Sequence, residues 1–448
     1  MTILKIPMDN FFKKKDLIRV KKNISGNLLN IFSLFLIQLF YFPMMIYAWG
    51  IEKTGYWFYL LAIPSFLSFW KLNFSEASKQ ELIISKIKNK NEIYTISLLF
   101  TIITLFVFSI IYFIINLNFI NYLKIFKDVQ IYKFNWILFF IFLSFSTDII
   151  TNNLLTISQF KGKIYPTQII TSLFSIFEKL IIPLAGFFTE YLLYAAIILF
   201  FLKLIRYVVS KFYVKKYISS LSLNFYMPNY NRIFDIFKKS TNFYFNDLTA
   251  IINVSGFIYF IGYFFTAEIV ALITALNTLF KFLVIWGFSV FENVIRYEFA
   301  NYYKKKNFIN IIKLYKLQQK ALYLILIIFL IIIYLIGEDI FNIWTNYSFN
   351  FNSNLIYLVS LETVVFLIGY NYILLAYSLN KLKKISLYGL LINLMFFVSL
   401  FYFETFRVNL ERIYFVLVFK GIVILILNNI FNYNFLNYFI YKKRKILL

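Results

Sequence analysis

Long apolar runs recur along almost the whole chain, and they constrain its fold more than any other feature. Each run approaches the length of about 20 residues that an α-helix needs to cross a bilayer. The chain has 448 residues, 61% of them hydrophobic, and a mean hydropathy of +0.75. The predicted fold class is all-α, a polytopic membrane protein with about 12 transmembrane helices in two six-helix lobes. The predicted spans are residues 24–48, 55–73, 94–117, 134–158, 164–187, 190–212, 241–263, 267–298, 318–336, 354–379, 385–403 and 410–440.

The positions of the basic residues predict the orientation of these spans. The formal net charge is +25. Loops after even-numbered spans are rich in Lys and Arg, and the cations from Lys203 to Lys239 are assigned to the loop after the sixth span. Because cytoplasmic loops are enriched in Lys and Arg, both termini are predicted to be cytoplasmic. These cations are expected to contact anionic membrane lipid, and nucleic acid is not an expected partner.

The two halves of the chain share the same order of span, turn and basic loop. The segment that begins at Gly50 aligns with the one that begins at Gly262, and the basic loop at Lys88 aligns with the one at Lys304. Six spans per half give both halves the same orientation, so the repeats are parallel. The predicted domains are an N-terminal six-helix lobe (1–212), a cytoplasmic linker (213–240) and a C-terminal six-helix lobe (241–448).

The chain contains no Cys and no His, which limits its chemistry. Disulfides, thiol catalysis and the commonest metal ligands are excluded. There is no phosphate-cradling glycine loop, and the paired acids Glu338 and Asp339 lie in a predicted exterior loop, where solvation explains them. We predict no enzymatic activity, no cofactor and no metal. Any coupling to H⁺ or Na⁺ is expected to use carboxylates within the membrane.

One predicted span carries charge at mid-membrane. Residues 267–297 read AEIVALITALNTLFKFLVIWGFSVFENVIRY. At 100° per residue, Thr274, Asn277, Lys281 and Glu292 fall within roughly 60° of one face. A central Lys costs about 2.5–3.5 kcal/mol on insertion scales, so it usually faces a bundle interior or a water-filled cavity. This span is therefore expected to line a central cavity.

Embedded charges recur in other spans, and two interpretations are open. In one, they form structural ion pairs, such as Lys281 with Glu362 or Lys179 with Asp148. In the other, cations in a central cavity receive a phosphate or another anion, and carboxylates balance charge or couple ions. Asp247 fits less well, because it lies off the polar stripe of its span. The candidate substrate-binding cations are Lys281, Lys179 and Lys420; the candidate coupling carboxylates are Asp148, Glu292, Glu362 and Asp247; the candidate polar lining is Asn27, Asn30, Asn152, Asn242, Asn253 and Asn277.

Three short motifs resemble those of a known superfamily. The segment GIEKTGYWFYLLAI from Gly50 is similar to the Leu-Gly-x-x-x-(Phe/Tyr)-Gly-aromatic turn of polysaccharide or O-antigen flippases, the Wzx-like family of the MOP superfamily. The segment KLNFSEASKQEL from Lys71 resembles the region after the second span, and GEDIFNIWTN from Gly337 resembles the turn after the ninth. Two departures stand out: Trp49 precedes Gly50, and the segment from Lys71 lacks the usual Asp-x-Gly-like pattern.

The resemblance implies a MOP/MATE-like fold and a function. The substrate would be an oligosaccharide on undecaprenyl pyrophosphate, moved from the inner to the outer leaflet of a bacterial cytoplasmic membrane by alternating access with ion coupling. Glycan-assembly proteins would be its partners. A MATE-like multidrug or cation exporter is the first alternative, although it would favour an acidic cavity. A membrane glycan polymerase or ligase is the second, although such enzymes usually need a substantial exterior loop.

Overall fold

The computed structural model describes residues 14–67, 90–118, 131–158, 165–218, 229–282, 307–378, 383–403 and 409–447, with isolated residues between these ranges. Within them the chain is helical apart from short connections, and it contains no strand. The helices are α1 (Lys14–Leu67), α2 (Lys90–Asn118), α3 (Ile131–Ser158), α4 (Tyr165–Phe188), α5 (Leu192–Ile218), α6 (Tyr230–Ile251), α7 (Phe257–Phe264), α8 (Ala267–Leu276), α9 (Phe308–Trp344), α10 (Asn354–Ser378), α11 (Lys383–Phe403) and α12 (Leu410–Leu447).

The prediction of an all-α, multi-pass membrane protein is confirmed. α1 holds the first predicted span and residues 55–67 of the second, α6 and α7 together hold the seventh, and each of the others except the eighth falls on one helix. For the eighth span the structure describes continuous helix up to residue 282. Eight segments of the described helices are long and apolar enough to cross a membrane. The orientation of the termini stays a prediction.

Gly50 separates the two spans within α1. Its φ of 76° and ψ of 174° interrupt the helical backbone at this residue alone. Such a conformation is essentially restricted to glycine. A Cβ added at Gly50 would meet nothing within 4 Å, so the requirement for glycine comes from the backbone conformation and not from lack of space. The turn predicted after the first span is therefore present, and its first residue is what permits it.

Helices pack both within and between the two halves of the chain. In the first half α3 packs along α5 and α1 along α4; in the second, α10 packs along α12 and α6 along α11. Between the halves, α1 packs on α8. A Cβ on Gly55 would lie 1.8 Å from the carbonyl oxygen of Ala267, and one on Gly262 would lie 2.1 Å from the Tyr59 ring. Glycine at both positions lets helices of opposite halves approach closely.

Aromatic side chains join the halves at the end of the bundle that carries the Gly50 turn, which we call the Gly50 end. The indole Nε1 of Trp344, the last residue of α9, donates to the carbonyl oxygen of Leu39 in α1 over 2.6 Å. The Trp344 ring also stacks on Phe42, with the ring centroids 5.3 Å apart. Phe42 is fully buried. The two halves are thus in direct contact at this end.

Two turns of π-helix interrupt the helices of the second half. One, Ile252–Gly256, joins α6 to α7, and the other, Asn277–Phe282, follows α8. A π-helical turn inserts one residue into the α-helical repeat and redirects the side chains around it, and such turns are frequent at functional sites. The stretch with the central lysine is therefore helical over its described residues 267–282, but its lysine lies on a π-turn.

The predicted linker is helical at both of its ends. α5 continues to Ile218 and α6 begins at Tyr230, while residues 219–228 lie outside the described ranges. Near the start of α6, Arg232 Nη1 pairs with Glu92 Oε2 of α2 over 3.1 Å. Ile236 packs beside Phe74 in a small apolar cluster. These contacts fasten the start of α6 to the first half, while the division into lobes at residues 212 and 241 stays a prediction.

Candidate functional site

Lys281 and Glu362 form a buried ion pair in the second half. Lys281 lies on the π-turn after α8, and Glu362 lies on α10, which packs against that turn. Lys281 Nζ donates to both carboxylate oxygens of Glu362, at 2.9 and 2.7 Å. The Lys281 ammonium also lies 5.5 Å from the centroid of the Phe366 ring. This ion pair, which one of the two open interpretations of the sequence predicted, is therefore present.

Lys420 adds a second cation to this group. It lies on α12 and is 8% exposed. Its Nζ donates to Asn253 Oδ1 over 2.7 Å and lies 4.5 Å from the centroid of the Phe396 ring. Its charge interacts with those of Glu362 and Lys281. Lys281, Glu362, Lys420 and Asn253 are called the second-half cluster below.

The π-turns bring the second-half cluster together. Asn253 lies on the first turn and Lys281 on the second, so residues redirected by π-helix contact α12 and α10 respectively. Asn277 begins the second turn, and the buried Tyr414 hydroxyl of α12 lies near both Asn277 and Glu362. The cluster has two cations for one carboxylate, and its remaining polar groups are neutral.

A larger ion-pair network lies in the first half. Arg206 Nη1 donates to Asp148 Oδ1 over 2.7 Å, and Arg206 Nη2 donates to Asn152 Oδ1 over 2.9 Å. Lys203 Nζ lies 2.6 Å from Glu178 Oε2 and 3.4 Å from Asp148 Oδ2. The network, which we call the first-half cluster, joins α3, α4 and α5. Both of its carboxylates are neutralised by cations of the chain itself.

Lys179 connects the first half to the second. Its Nζ donates to Gln38 Oε1 of α1 and lies 5.4 Å from the centroid of the Tyr41 ring. Gln38 Nε2 in turn donates to Thr278 Oγ1 over 3.4 Å, and Thr278 lies on the π-turn that carries Lys281. A chain of polar contacts therefore runs from α4 through α1 to the second half.

The comparisons with known proteins show the fold. No family model matches the sequence, and no curated protein matches it. Among solved structures, the MATE multidrug transporter DinF-BH matches with a TM-score of 0.66 at 14% identity, covering 92% of this chain and 95% of its own. A MATE transporter of Vibrio cholerae, VcmN, matches with a TM-score of 0.65 at 12% identity, covering 94% and 96%. The chain has the MATE transporter fold.

A further neighbour of the MATE-fold chain is a MOP superfamily transporter from Pyrococcus furiosus, described as having a binding pocket of reverse polarity. Its TM-score is 0.61 at 11% identity, covering 94% of this chain and 96% of that one. The expected MOP/MATE-like fold is confirmed, and these three structural neighbours are transporters. The Wzx-like family within the superfamily is not confirmed by these likenesses.

Several predicted site residues belong to the first-half and second-half clusters of this chain. Lys281, Lys420, Glu362 and Asn253 form the second-half cluster, with Asn277 beside it. Asp148 and Asn152 belong to the first-half cluster. Asp247 lies half-buried on α6, just before the first π-turn. Glu292 and the side chains of Asn27, Asn30 and Asn242 lie outside the described parts of the structure.

Two expectations about charged residues were wrong. Asp148 pairs with Lys203 and Arg206 and not with Lys179, because α5 packs along α3 and brings its cations to that carboxylate. Lys203 and Arg206 were assigned to a cytoplasmic loop, but they lie within α5, and Arg206 is 6% exposed. The signal was available in the sequence: both fall inside the predicted span 190–212, three residues apart and so on one face of a helix.

Proposed function

We propose that this transporter-fold protein is a flippase for a lipid-linked oligosaccharide. The substrate would carry its glycan on undecaprenyl pyrophosphate and move from the inner to the outer leaflet of a bacterial cytoplasmic membrane. The observation that carries the proposal is the excess of cations in the second-half cluster, where Lys281 and Lys420 accompany one described carboxylate, that of Glu362.

An excess of buried ammonium groups favours an anionic substrate. Charges at membrane depth are costly, and they usually mark substrate or ion pathways. Lys is an established ligand of phosphate groups. A cationic drug would instead need accessible carboxylates, yet Lys203 and Arg206 already occupy those of the first-half cluster and Lys281 occupies Glu362. The charge balance therefore supports a phosphate-bearing headgroup more than a drug cation.

The fold itself accommodates pockets of different polarity. The Pyrococcus furiosus MOP superfamily transporter with the reversed pocket matches this chain over 94% of its length. A scaffold shared by such a protein and by a multidrug transporter sets helix arrangement, while side chains set what binds. The cationic second-half cluster of this chain is consistent with that division.

The contacts between the halves suggest which parts would move in the transport cycle that we propose. The lipid tails would stay in the bilayer while the pyrophosphate and glycan pass between the halves. Opening toward the Gly50 end requires separation of Trp344 from Leu39 and Phe42. The contact between Gln38 and Thr278 has to separate as well. These would be the contacts that exchange during alternating access.

Coupling and partners are part of the proposal. Asp148, Glu178 and Glu362 are carboxylates at membrane depth that would balance charge or exchange H⁺ or Na⁺ as their cations move. Asp247 and Glu292 are further candidates for the same role. Anionic lipids are the proposed neighbours of the basic loops, and glycan-assembly proteins are the proposed source and recipients of the substrate.

Deletion of the gene tests the function in cells. We expect the lipid-linked oligosaccharide to accumulate in the inner leaflet, with unchanged sensitivity to the cationic dye ethidium. A deletion strain that becomes ethidium-sensitive and still exports the glycan would favour a multidrug exporter. A strain in which the glycan reaches the outer leaflet but stays unpolymerised would favour a polymerase.

Complementation of that strain separates a binding role of Lys281 from a structural one. The double variant K281Q/E362Q removes both charges of the pair and leaves neutral side chains of similar shape, so the fold is expected to survive. We expect export to be lost although the protein reaches the membrane. K316Q, which removes an exposed lysine of α9, is the matched control and should export normally. Normal export by K281Q/E362Q would leave Lys281 a structural residue only.

A further inference from the structure

We propose that Lys420 and Lys281 form a site for one pyrophosphate-sized anion, and that Glu362 is a built-in counter-ion which the anion displaces. The inference rests on the proposed function and deepens it. It assigns the anion to the second half of the chain, and it gives the cluster's only described carboxylate a role as competitor.

Lys420 gives the clearest indication of an anion site. Its ammonium is buried, and in the described part of the chain it forms no ion pair. Its nearest polar partner is the neutral Asn253, and its other close neighbour is the Phe396 ring. An ammonium has three donor hydrogens, and here one of them has a described acceptor. Burial of a charge is costly unless an opposite charge compensates it. A bound anion would supply that compensation.

Lys281 supplies the second cation, and in this structure its ammonium is paired with the carboxylate of Glu362. Both carboxylate oxygens of Glu362 accept from Lys281 Nζ, a geometry that a phosphate oxygen pair can reproduce. Glu362 also interacts electrostatically with Lys420, so it lies within the field of both ammonium groups. An anion placed between Lys281 and Lys420 therefore competes with Glu362 for the same charges.

The surroundings provide further donors but no second carboxylate among the residues described. The buried Tyr414 hydroxyl lies near Glu362, and Asn277 lies beside it. With one carboxylate against two ammonium groups, the cluster by itself carries one net positive charge. Binding of an anion while Glu362 turns away brings two cations to face it, which suits a pyrophosphate better than a single negative charge.

In the first-half cluster, by contrast, Lys203 and Arg206 are each already paired with a carboxylate. Lys203 contacts two carboxylates, and Arg206 contacts Asp148 and Asn152. An incoming anion would have to displace Glu178 and Asp148 together. The structure therefore favours the second half as the place where the phosphate is held.

Titration of the purified full-length protein with inorganic pyrophosphate tests the site. Isothermal calorimetry should give about tenfold tighter binding to E362Q than to wild type, because the competing carboxylate is gone while the side-chain shape is kept. K420M should lose measurable binding, and K420R should retain it. K316M, an exposed lysine on α9, is the control for loss of one positive charge and should bind as wild type.

A second titration with farnesyl pyrophosphate distinguishes a lipid headgroup from a free phosphate compound. Tighter binding of farnesyl pyrophosphate than of inorganic pyrophosphate supports a lipid-linked ligand, and equal affinity supports a soluble one. Weaker pyrophosphate binding to E362Q, or wild-type binding to K420M, overturns the site. If pyrophosphate binds as expected but deletion cells still export the glycan, the site stands and the proposed function fails. Thermal melting of each variant verifies that it is folded.

Discussion

At the scale of single residues, Lys203 shows how the chain places charge inside a membrane helix. Its ammonium lies between carboxylates of two other helices, Asp148 and Glu178. Each charge compensates another, so the cost of embedding any one of them is reduced. The same argument explains Arg206, whose guanidinium divides its donors between Asp148 and Asn152. Compensation, and not location in a loop, is why these cations are tolerated in α5.

The compensation at Lys203 is testable by removing one partner and then both. K203M leaves Glu178 at membrane depth without its nearest cation, and we expect a loss of about 3 kcal/mol of stability. K203M/E178Q removes that charge as well and should recover much of the loss. Thermal unfolding in detergent measures both, with K316M as the exposed control. A double variant no more stable than K203M would contradict the account.

At the scale of elements, interruptions of the α-helical backbone position the side chains of the candidate site. The Gly50 turn lets α1 reverse between its two spans, and the two π-turns direct Asn253 and Lys281 toward their partners. Straight α-helix at either π-turn would rotate the following residues by about 100° for each residue removed. The second-half cluster therefore depends on the local irregularity of the helices that carry it.

The requirement for glycine at position 50 follows from its φ of 76°. G50A should cost about 1–3 kcal/mol, because a side chain disfavours that conformation although the space around it is open. G389A is the matched control, since Gly389 lies in α11 with nothing within 4 Å of an added Cβ. There alanine should be neutral or slightly stabilising. Equal shifts in the melting temperatures of the two variants would contradict the conformational explanation.

The elements were largely predictable because lipid imposes one rule on every span. An apolar run of sufficient length must be helical to satisfy its backbone hydrogen bonds, so the predicted spans fall on the observed helices. The pair of Lys281 with Glu362 was suggested by the sequence because an opposite charge lowers the cost of an embedded one, but the same reasoning also suggested Lys179 with Asp148, which is not formed. The π-turns were not, since no residue pattern in Ile252–Gly256 or Asn277–Phe282 marks them. Nor does one span's sequence show that α5 would bring Lys203 to Glu178.

At the scale of the whole molecule, contacts between the halves define the state that the structure shows. The halves touch through Trp344 and Leu39 of α1, and through the neighbouring Gln38 and Thr278. Gly55 lies against the backbone of Ala267 in the same interface. A transporter that alternates between two openings must break such contacts once in every cycle. Under the proposed function, this interface would both stabilise the structure and separate during transport.

Cross-linking of Gln38 to Thr278 tests that motion. The chain has no Cys, so Q38C/T278C carries the only thiols and needs no altered background. A short bifunctional thiol reagent with a reducible bond should stop transport, and reduction should restore it. Each single variant with the same reagent serves as control. Unchanged transport by the cross-linked double variant would show that this contact does not separate during the cycle.

The proposed function requires that the two halves carry an anionic, pyrophosphate-bearing lipid across the membrane. Its most direct test is purified protein in proteoliposomes that contain a fluorescent polyprenyl pyrophosphate oligosaccharide, with the outer-leaflet fraction followed by an impermeant quencher. We expect protein-dependent exchange of the lipid between leaflets, lost in K281Q/K420Q and kept in K316Q, with no protein-dependent uptake of ethidium. Uptake of ethidium without exchange of the pyrophosphate lipid would contradict it.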